Sequence, residues 1–229
     1  MKKTAILIDG GFYRNIAYSI YGNLPPVERA DELETYCRKH IKDKHEKREL
    51  YRIFYYDCMP SSKKVYHPML KRQIYLGKTE LYTWMHEFTE SLKARRKFAL
   101  RMGTLSEERV VYNLKYEALK KLYNGKLTLE DLKESDFELS IEQKGVDMKI
   151  GIDIASLAYK KQVDQIILIS GDSDFVPAAK LARREGIDFI LDPMRQHIKA
   201  DLFEHIDGIQ TRTPNPDKKE EPDDEEVIP

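Results

Sequence analysis

A mixed α/β fold around a mostly parallel sheet is predicted by three features of this 229-residue chain. Short, continuous runs of β-favouring apolar residues recur at Thr4–Ile8, Leu50–Tyr56, Ile166–Ile169 and Ile187–Leu191. Such runs fit strands buried on both faces. Stretches with helical periodicity lie between them, the alternation that makes right-handed βαβ units. The runs also close on acid: Asp9, Asp57 and Asp192 follow directly, and Asp172 comes after Ser170-Gly171.

Taken in order, Thr4–Ile8 is a first strand whose tip is Asp9, with Gly10-Gly11 making a tight turn. Phe12–Tyr21 reads as a helix, Pro25-Pro26 breaks the chain, and Arg29–Lys44 is a second helix with Leu33, Tyr36, Cys37, His40 and Ile41 on one side. Leu50–Tyr56 is the next strand, and Asp57 before Cys58-Met59-Pro60 reads first as a turn residue. From 60 to about 142 the spacing predicts a largely helical insertion or lid: helices at Pro68–Tyr75 and Glu80–Ala94, a strand at Phe98–Met102, mostly helical pieces over Val110–Tyr123 and Leu129–Leu132, and a short strand at Phe137–Ile141. In Gln143–Tyr159 the apolar positions Met148, Ile152, Ala155 and Tyr159 keep helical spacing, with Asp147 in the first turn. A helix from Asp174 to Glu185 stops at Gly186, Lys199–His205 is a helix or turn, and Ile209 closes the sheet. Residues 1–213 form one domain. Pro214–Pro229 is proline-rich and acidic and is expected to be disordered.

Composition narrows the classes. The chain is 41% hydrophobic and 34% charged with zero formal net charge. Seven acids and two bases between Asp217 and Glu226 leave a mildly basic body able to meet a polyanion. Cys37 and Cys58 have no metal-binding spacing, and they are expected to be reduced thiols. The apolar run after Met1 stops at Asp9, too soon for a signal peptide, and no run could span a membrane, so a cytoplasmic protein is expected. No GxxxxGK[ST] motif occurs, so no nucleotide cofactor is expected. A homo-oligomer stays open.

The chemistry gathers at the strand tips. Ile166–Val176 reads Ile-Ile-Leu-Ile-Ser-Gly-Asp-Ser-Asp-Phe-Val, placing Asp172 and Asp174 between a strand end and a helix start, where open α/β sheets bind ligands. In such a sheet Asp9, Asp147, Asp172 and Asp174 can converge on one carboxyl edge. Carboxylates with no His or Cys beside them favour a hard cation, Mg²⁺ or Mn²⁺, able to promote in-line displacement at a phosphodiester. Asp153 lies among Ile150, Ile152, Ile154 and Leu157. It stands about 240° around the helix from Asp147, so it is placed behind the ligands and not on the ion. Lys144 could hold a phosphate oxygen or be a plain surface lysine. The basic run Lys93-Ala94-Arg95-Arg96-Lys97 could contact phosphates or be a solvated helix face. Tyr66, His67, Tyr75, Tyr82 and Trp84, interleaved with Lys63, Lys64, Lys71, Arg72 and Lys78, could stack on single-stranded nucleic acid.

Three blocks then carry a resemblance. Ile8-Asp9-Gly10-Gly11, Lys144-Gly145-Val146-Asp147 with Asp153 beyond it, and Ser170-Gly171-Asp172-Ser173-Asp174-Phe175-Val176-Pro177 occur in that order. Together they resemble the NYN domain, a branch of the PIN-like nuclease superfamily, near its bacterial LabA-like members. The resemblance covers about residues 3–212. It implies a Rossmann-like three-layer α/β/α sandwich and metal-dependent cleavage of RNA, taken here as endonucleolytic and on single strands. It implies catalytic, metal-holding roles for Asp9, Asp147, Asp172 and Asp174, with Asp153 at a further acidic position, and Ser170 falls in its third block beside substrate. Phe12 stands where many members carry an asparagine, and Asn15 is the candidate substitute. The competing readings are a non-catalytic RNA-binding or scaffold protein of the same fold, and a phosphatase. The latter, as haloacid-dehalogenase chemistry, needs an Asp-x-Asp pair at the first strand, where Gly10-Gly11 follows Asp9.

Overall fold

The computed structural model describes residues 1–43 and 46–214. In chain order the elements are β1 (Lys2–Asp9), α1 (Gly10–Tyr21), α2 (Pro26–Ile41), β2 (Arg48–Asp57), β3 (Lys64–His67), β4 (Arg72–Tyr75), α3 (Glu80–Lys93), β5 (Phe98–Met102), β6 (Thr104–Leu114), α4 (Tyr116–Tyr123), β7 (Phe137–Lys144), α5 (Val146–Tyr159), β8 (Gln165–Ile169), α6 (Val176–Arg184), β9 (Asp188–Asp192), α7 (Ala200–Glu204) and β10 (Gly208–Ile209). The expected disordered tail lies outside the described residues from Asn215 onward.

Six strands form one sheet in the order β10-β9-β8-β1-β2-β5, and every pairing in it is parallel. Successive residues of a strand point to opposite faces, so the apolar runs supply two cores at once. Ile6, Ile8, Ile53, Tyr55, Ile167 and Ile169 face α1, α2 and α3, which contribute Tyr13, Leu33, Tyr36 and Phe88. Ala5, Leu7, Tyr56, Ile166, Leu168 and Leu191 face α5, α6 and α7, which contribute Ile150, Ile154, Ala179 and Leu202. The result is the three-layer sandwich. From β1 the chain builds outward to β2 and β5, then returns to the other side of β1 to lay down β8, β9 and β10. The order therefore reverses between β1 and β8, and the crevice of such a sheet opens at the carboxyl ends of those two strands.

Gly10 lets α1 start close to the sheet. A Cβ there would stand 2.5 Å from the Tyr55 ring and 2.7 Å from Asp57 Oδ2, so only glycine admits this approach. The polar cluster that it abuts is buried. Asp57 takes two hydrogen bonds from Arg14, at 2.9 and 3.1 Å, one from the Tyr55 hydroxyl and one from the Cys58 amide. An acid at a strand tip is here a structural hub. Cys37 and Cys58 are both buried free thiols.

The segment over 60–142 differs from the helical expectation. Helix α3 and strand β5 belong to the sandwich itself, β5 pairing with β2. The remainder is two antiparallel hairpins, β3–β4 and β6–β7, with the short α4 between β6 and β7. Pro68–Tyr75 is a turn followed by β4, and Leu129–Leu132 is a turn. Val110–Leu114 is strand, because its half-buried positions Val110, Tyr112 and Leu114 alternate with exposed Val111 and Asn113, a period of two. Lys115, extended at φ −60°, ψ 144°, separates it from α4. One helical period can be drawn across both elements, which is why the pattern alone does not separate them. The hairpins join through His67, whose ring centroid lies 4.4 Å from that of Tyr112 and 5.2 Å from that of Phe137.

Helix α5 also turns differently from its sequence period. Met148, Ile152 and Tyr159 are exposed at 70%, 59% and 58%, while Ile150, Ile154, Leu157 and Ala158 are buried. The helix carries two apolar stripes, and periodicity alone does not say which one meets the sheet. Among the described residues no helix is long and apolar enough to cross a membrane.

Candidate active site

Asp9 ends β1 and caps α1, its Oδ1 accepting the Phe12 amide at 3.1 Å. Its Oδ2 accepts the Ser170 hydroxyl at 3.4 Å, across from the adjacent β8. Ser170 is buried and in turn accepts the Asp172 amide at 3.3 Å, so one hydroxyl ties the two strand tips on either side of the crevice. Asp172 Oδ1 accepts the Asp174 amide at 3.0 Å, which shapes the single 3₁₀ turn Ser173–Phe175 ahead of α6. Asp147 arrives from β7 through Gly145, whose φ of +82° turns the chain into the first turn of α5. A cleft of about 400 Å³ between α5 and α6 has Asp147 and Asp174 on its wall beside Met148, Phe175 and Leu181.

The electrostatics show that these acids share one field. Burial pushes the Asp9 carboxyl above its ordinary value, and the nearby charges of Asp147 and Asp57 push the same way, against the Phe12 and Ser170 hydrogen bonds. Partial burial likewise raises Asp147, followed by the charges of Asp172 and Asp174. Among the described residues no cationic side chain pairs with Asp9, Asp147, Asp172 or Asp174. Their donors are oxygen only and their negative charge is uncompensated, which fits a hard divalent cation. Among the described residues no three acidic, imidazole or thiol side chains are gathered into a ready cage.

A thermal measurement follows. Asp9 and Asp147 bind protons more tightly folded than unfolded, so their contribution to stability falls as pH rises from the ordinary carboxylate value through the raised one, and stays low above it. A divalent ion binds the ionised form. Mn²⁺ at a hundred times its Kd is expected to stabilise the protein by about 2.7 kcal/mol, roughly 5–10 °C in Tm, at pH 7.5. The shift is expected to shrink near pH 4 and to disappear in Asp147→Asn. An equal shift at both pH values, or in the variant, contradicts metal binding here.

The other expected site residues fall in different places. Asp153 is taken by the Tyr56 hydroxyl at 2.8 Å and by Arg101 at 3.1 Å, and it contacts none of the four acids. Lys144 ends β7, largely exposed, with Nζ 3.8 Å from Glu142. Asn15 lines a separate cavity of about 350 Å³ with Arg14, Tyr18, Arg29 and Trp84. Phe12, at the position of the family asparagine, lies against Gly171, where a Cβ would come within 2.9 Å of its ring. Arg95, Arg96 and Lys97 stand at the opposite, amino edge of the sheet, just before β5 begins. Arg95 is tied to Asp31, Glu34 and Ser91, and Lys97 donates to the Leu50 carbonyl. A basic run that looked free in sequence is a clamp between α3, α2 and β2. Sequence reading missed Lys199, which donates to Ser173 Oγ at 3.2 Å and brings a cation to the Asp172–Asp174 turn. It also missed Arg14, the counter-ion of Asp57. Neither has a local signal, since each is one basic residue on a helix or at its start.

A family model described as the NYN domain matches residues 3–204. No curated protein matches the chain. Among solved structures it is similar to a protein of unknown function from Vibrio parahaemolyticus, at 15% identity and a TM-score of 0.45, with 92% of each chain covered.

Proposed function

The chain belongs to the NYN domain family, within the PIN-like nuclease superfamily, and from that premise we propose that it is a metal-dependent ribonuclease. The observation that carries the proposal is that the charge of Asp147 reaches Asp9 and the charges of Asp172 and Asp174 reach Asp147, beside the crevice between β1 and β8, with no ion pair to any of the four among the described residues. Those four carboxylates would hold Mg²⁺ or Mn²⁺. When bound, the ion supplies positive charge that polarises a scissile phosphodiester. The chain's own groups do the rest. Ser170 holds Asp9 and the Asp172 backbone in register. The Asp174 amide keeps the Asp172 side chain from turning away. Lys199, exposed beside Ser173, would meet a phosphate oxygen, and Lys144, immediately before Gly145 and three residues before Asp147, would be a second cation.

End-labelled single-stranded RNA incubated with Mn²⁺, with Mg²⁺ or with EDTA tests this reading. Product is expected with either metal and none with EDTA. Product of equal yield in EDTA, or no product under any condition, overturns it. The second reading, a non-catalytic RNA-binding protein, draws on Phe12, an apolar ring packed on Gly171 where a polar substrate-positioning side chain is usual. RNA retained by the protein without any metal-dependent product would establish that reading instead.

A further inference from the structure

We propose that the outer face of the β3–β4 hairpin is a stacking platform that receives single-stranded RNA, a surface that rests on the ribonuclease reading and deepens it. Alternation along β3 turns Val65 and His67 inward, where they are 6% and 1% exposed, and leaves Lys64 and Tyr66 outward. Lys64 opposes Tyr75 across the hairpin, and Tyr66 opposes Gln73. Tyr66 and Tyr75 therefore sit diagonally on one face, roughly 7–8 Å apart, and are 54% and 42% exposed. Among the described residues neither hydroxyl has a hydrogen-bond partner, so the rings serve no buried polar network of their own.

The charge of the hairpin's own segment is one-sided. Met59–Thr79 contains Lys63, Lys64, Lys71, Arg72 and Lys78 and no acidic residue, within a chain of zero formal net charge. The ammonium groups of Lys64 and Lys78 lie 5.7 and 5.6 Å from the Tyr75 ring centroid. An exposed cation–π contact is weaker than a nucleobase stacked on an aromatic ring. An arriving base can thus take the ring while the two flexible lysines move to its phosphates. An acidic polypeptide would use the lysines and leave the rings without a role, which is why the combination selects nucleic acid. Position agrees. The hairpin follows the tip of β2, packs through His67 on β6 and β7, and β7 leads through Gly145 to Asp147. The platform follows the carboxyl end of β2, as Asp9 and Asp172 stand at or just after the carboxyl ends of β1 and β8.

The test reads binding apart from cleavage: fluorescence anisotropy of a labelled oligouridylate with the full chain in EDTA. Replacing both rings, Tyr66→Ala with Tyr75→Ala, is expected to weaken binding roughly 30-fold or more, whereas Tyr66→Phe with Tyr75→Phe keeps it. Lys64→Ala with Lys78→Ala is expected to flatten the salt dependence by about 1.4 in log–log slope, two phosphate contacts on a single strand. Both exposed-face variants are expected to melt with the wild type. Alanine-pair binding equal to wild type overturns the platform. So does absent RNA binding by the wild type, or polyglutamate binding that is lost on removing the rings. Binding that depends on the rings in a protein that never cleaves RNA would remove the ribonuclease reading and leave the platform standing.

Discussion

Asp172→Asn is expected to lower metal-dependent RNA cleavage at least a hundredfold, on the order of 3 kcal/mol or more of transition-state stabilisation, without lowering the Tm of the metal-free protein. The carboxamide has nearly the shape of the carboxylate, and its oxygen can still accept the Asp174 amide that shapes the turn. What disappears is a charge. In the metal-free protein that charge opposes folding, because Asp172 is one of the acids that raise the proton affinity of Asp147. The same substitution should therefore leave stability equal or slightly higher while removing activity, the pattern of a group kept for function against a cost in stability. Single-turnover cleavage and thermal unfolding of one preparation measure both. A variant that cuts at the wild-type rate takes Asp172 out of the site.

Asp192→Ala is expected to act in the opposite way, costing about 3–5 kcal/mol of stability, roughly 6–20 °C in Tm, while the remaining folded protein still cleaves. Asp192 is fully buried at the tip of β9. It accepts hydrogen bonds from the Tyr36 hydroxyl, from the Met194 amide at 2.8 Å and from Thr211 at 3.1 Å, and pairs with His40 at 2.8 Å. Alanine would leave Tyr36, His40 and the Met194 amide facing an apolar gap with no acceptor, and would cut the polar tie between α2 and the tip of β9. Chemical or thermal unfolding compared with wild type checks this, and an unchanged midpoint contradicts the role assigned to the cluster.

These two substitutions separate strand-tip acids that look alike in sequence. Asp9, Asp57 and Asp192 each end an apolar run, and Asp172 follows one closely. Asp57 is neutralised by Arg14, and Asp192 is enclosed by Tyr36 and His40. Among the described residues no ion pair reaches Asp9 or Asp172. A carboxylate's role follows from what stands opposite it, and that partner comes from a distant part of the chain.

The sequence by itself determined the sandwich, because runs such as Ala5–Ile8 and Ile166–Ile169 have too few polar atoms for any place other than a sheet covered on both faces. It also determined where the catalytic candidates lie along the chain, since Asp9, Asp147, Asp172 and Asp174 are each adjacent to a strand end or helix start that local signals mark. Only the tertiary structure decided the rest. It gave Arg95 and Lys97 to a clamp at the amino edge, and Asp153 to Tyr56 and Arg101. It chose which stripe of α5 meets the sheet, and it made 104–114 a strand by pairing it with β7. The physical reason is the range of the interactions. Apolar period and capping act over a few residues and can be read along the chain, whereas an ion pair, a hairpin register or a choice between two apolar faces is set by a partner that only folding brings near.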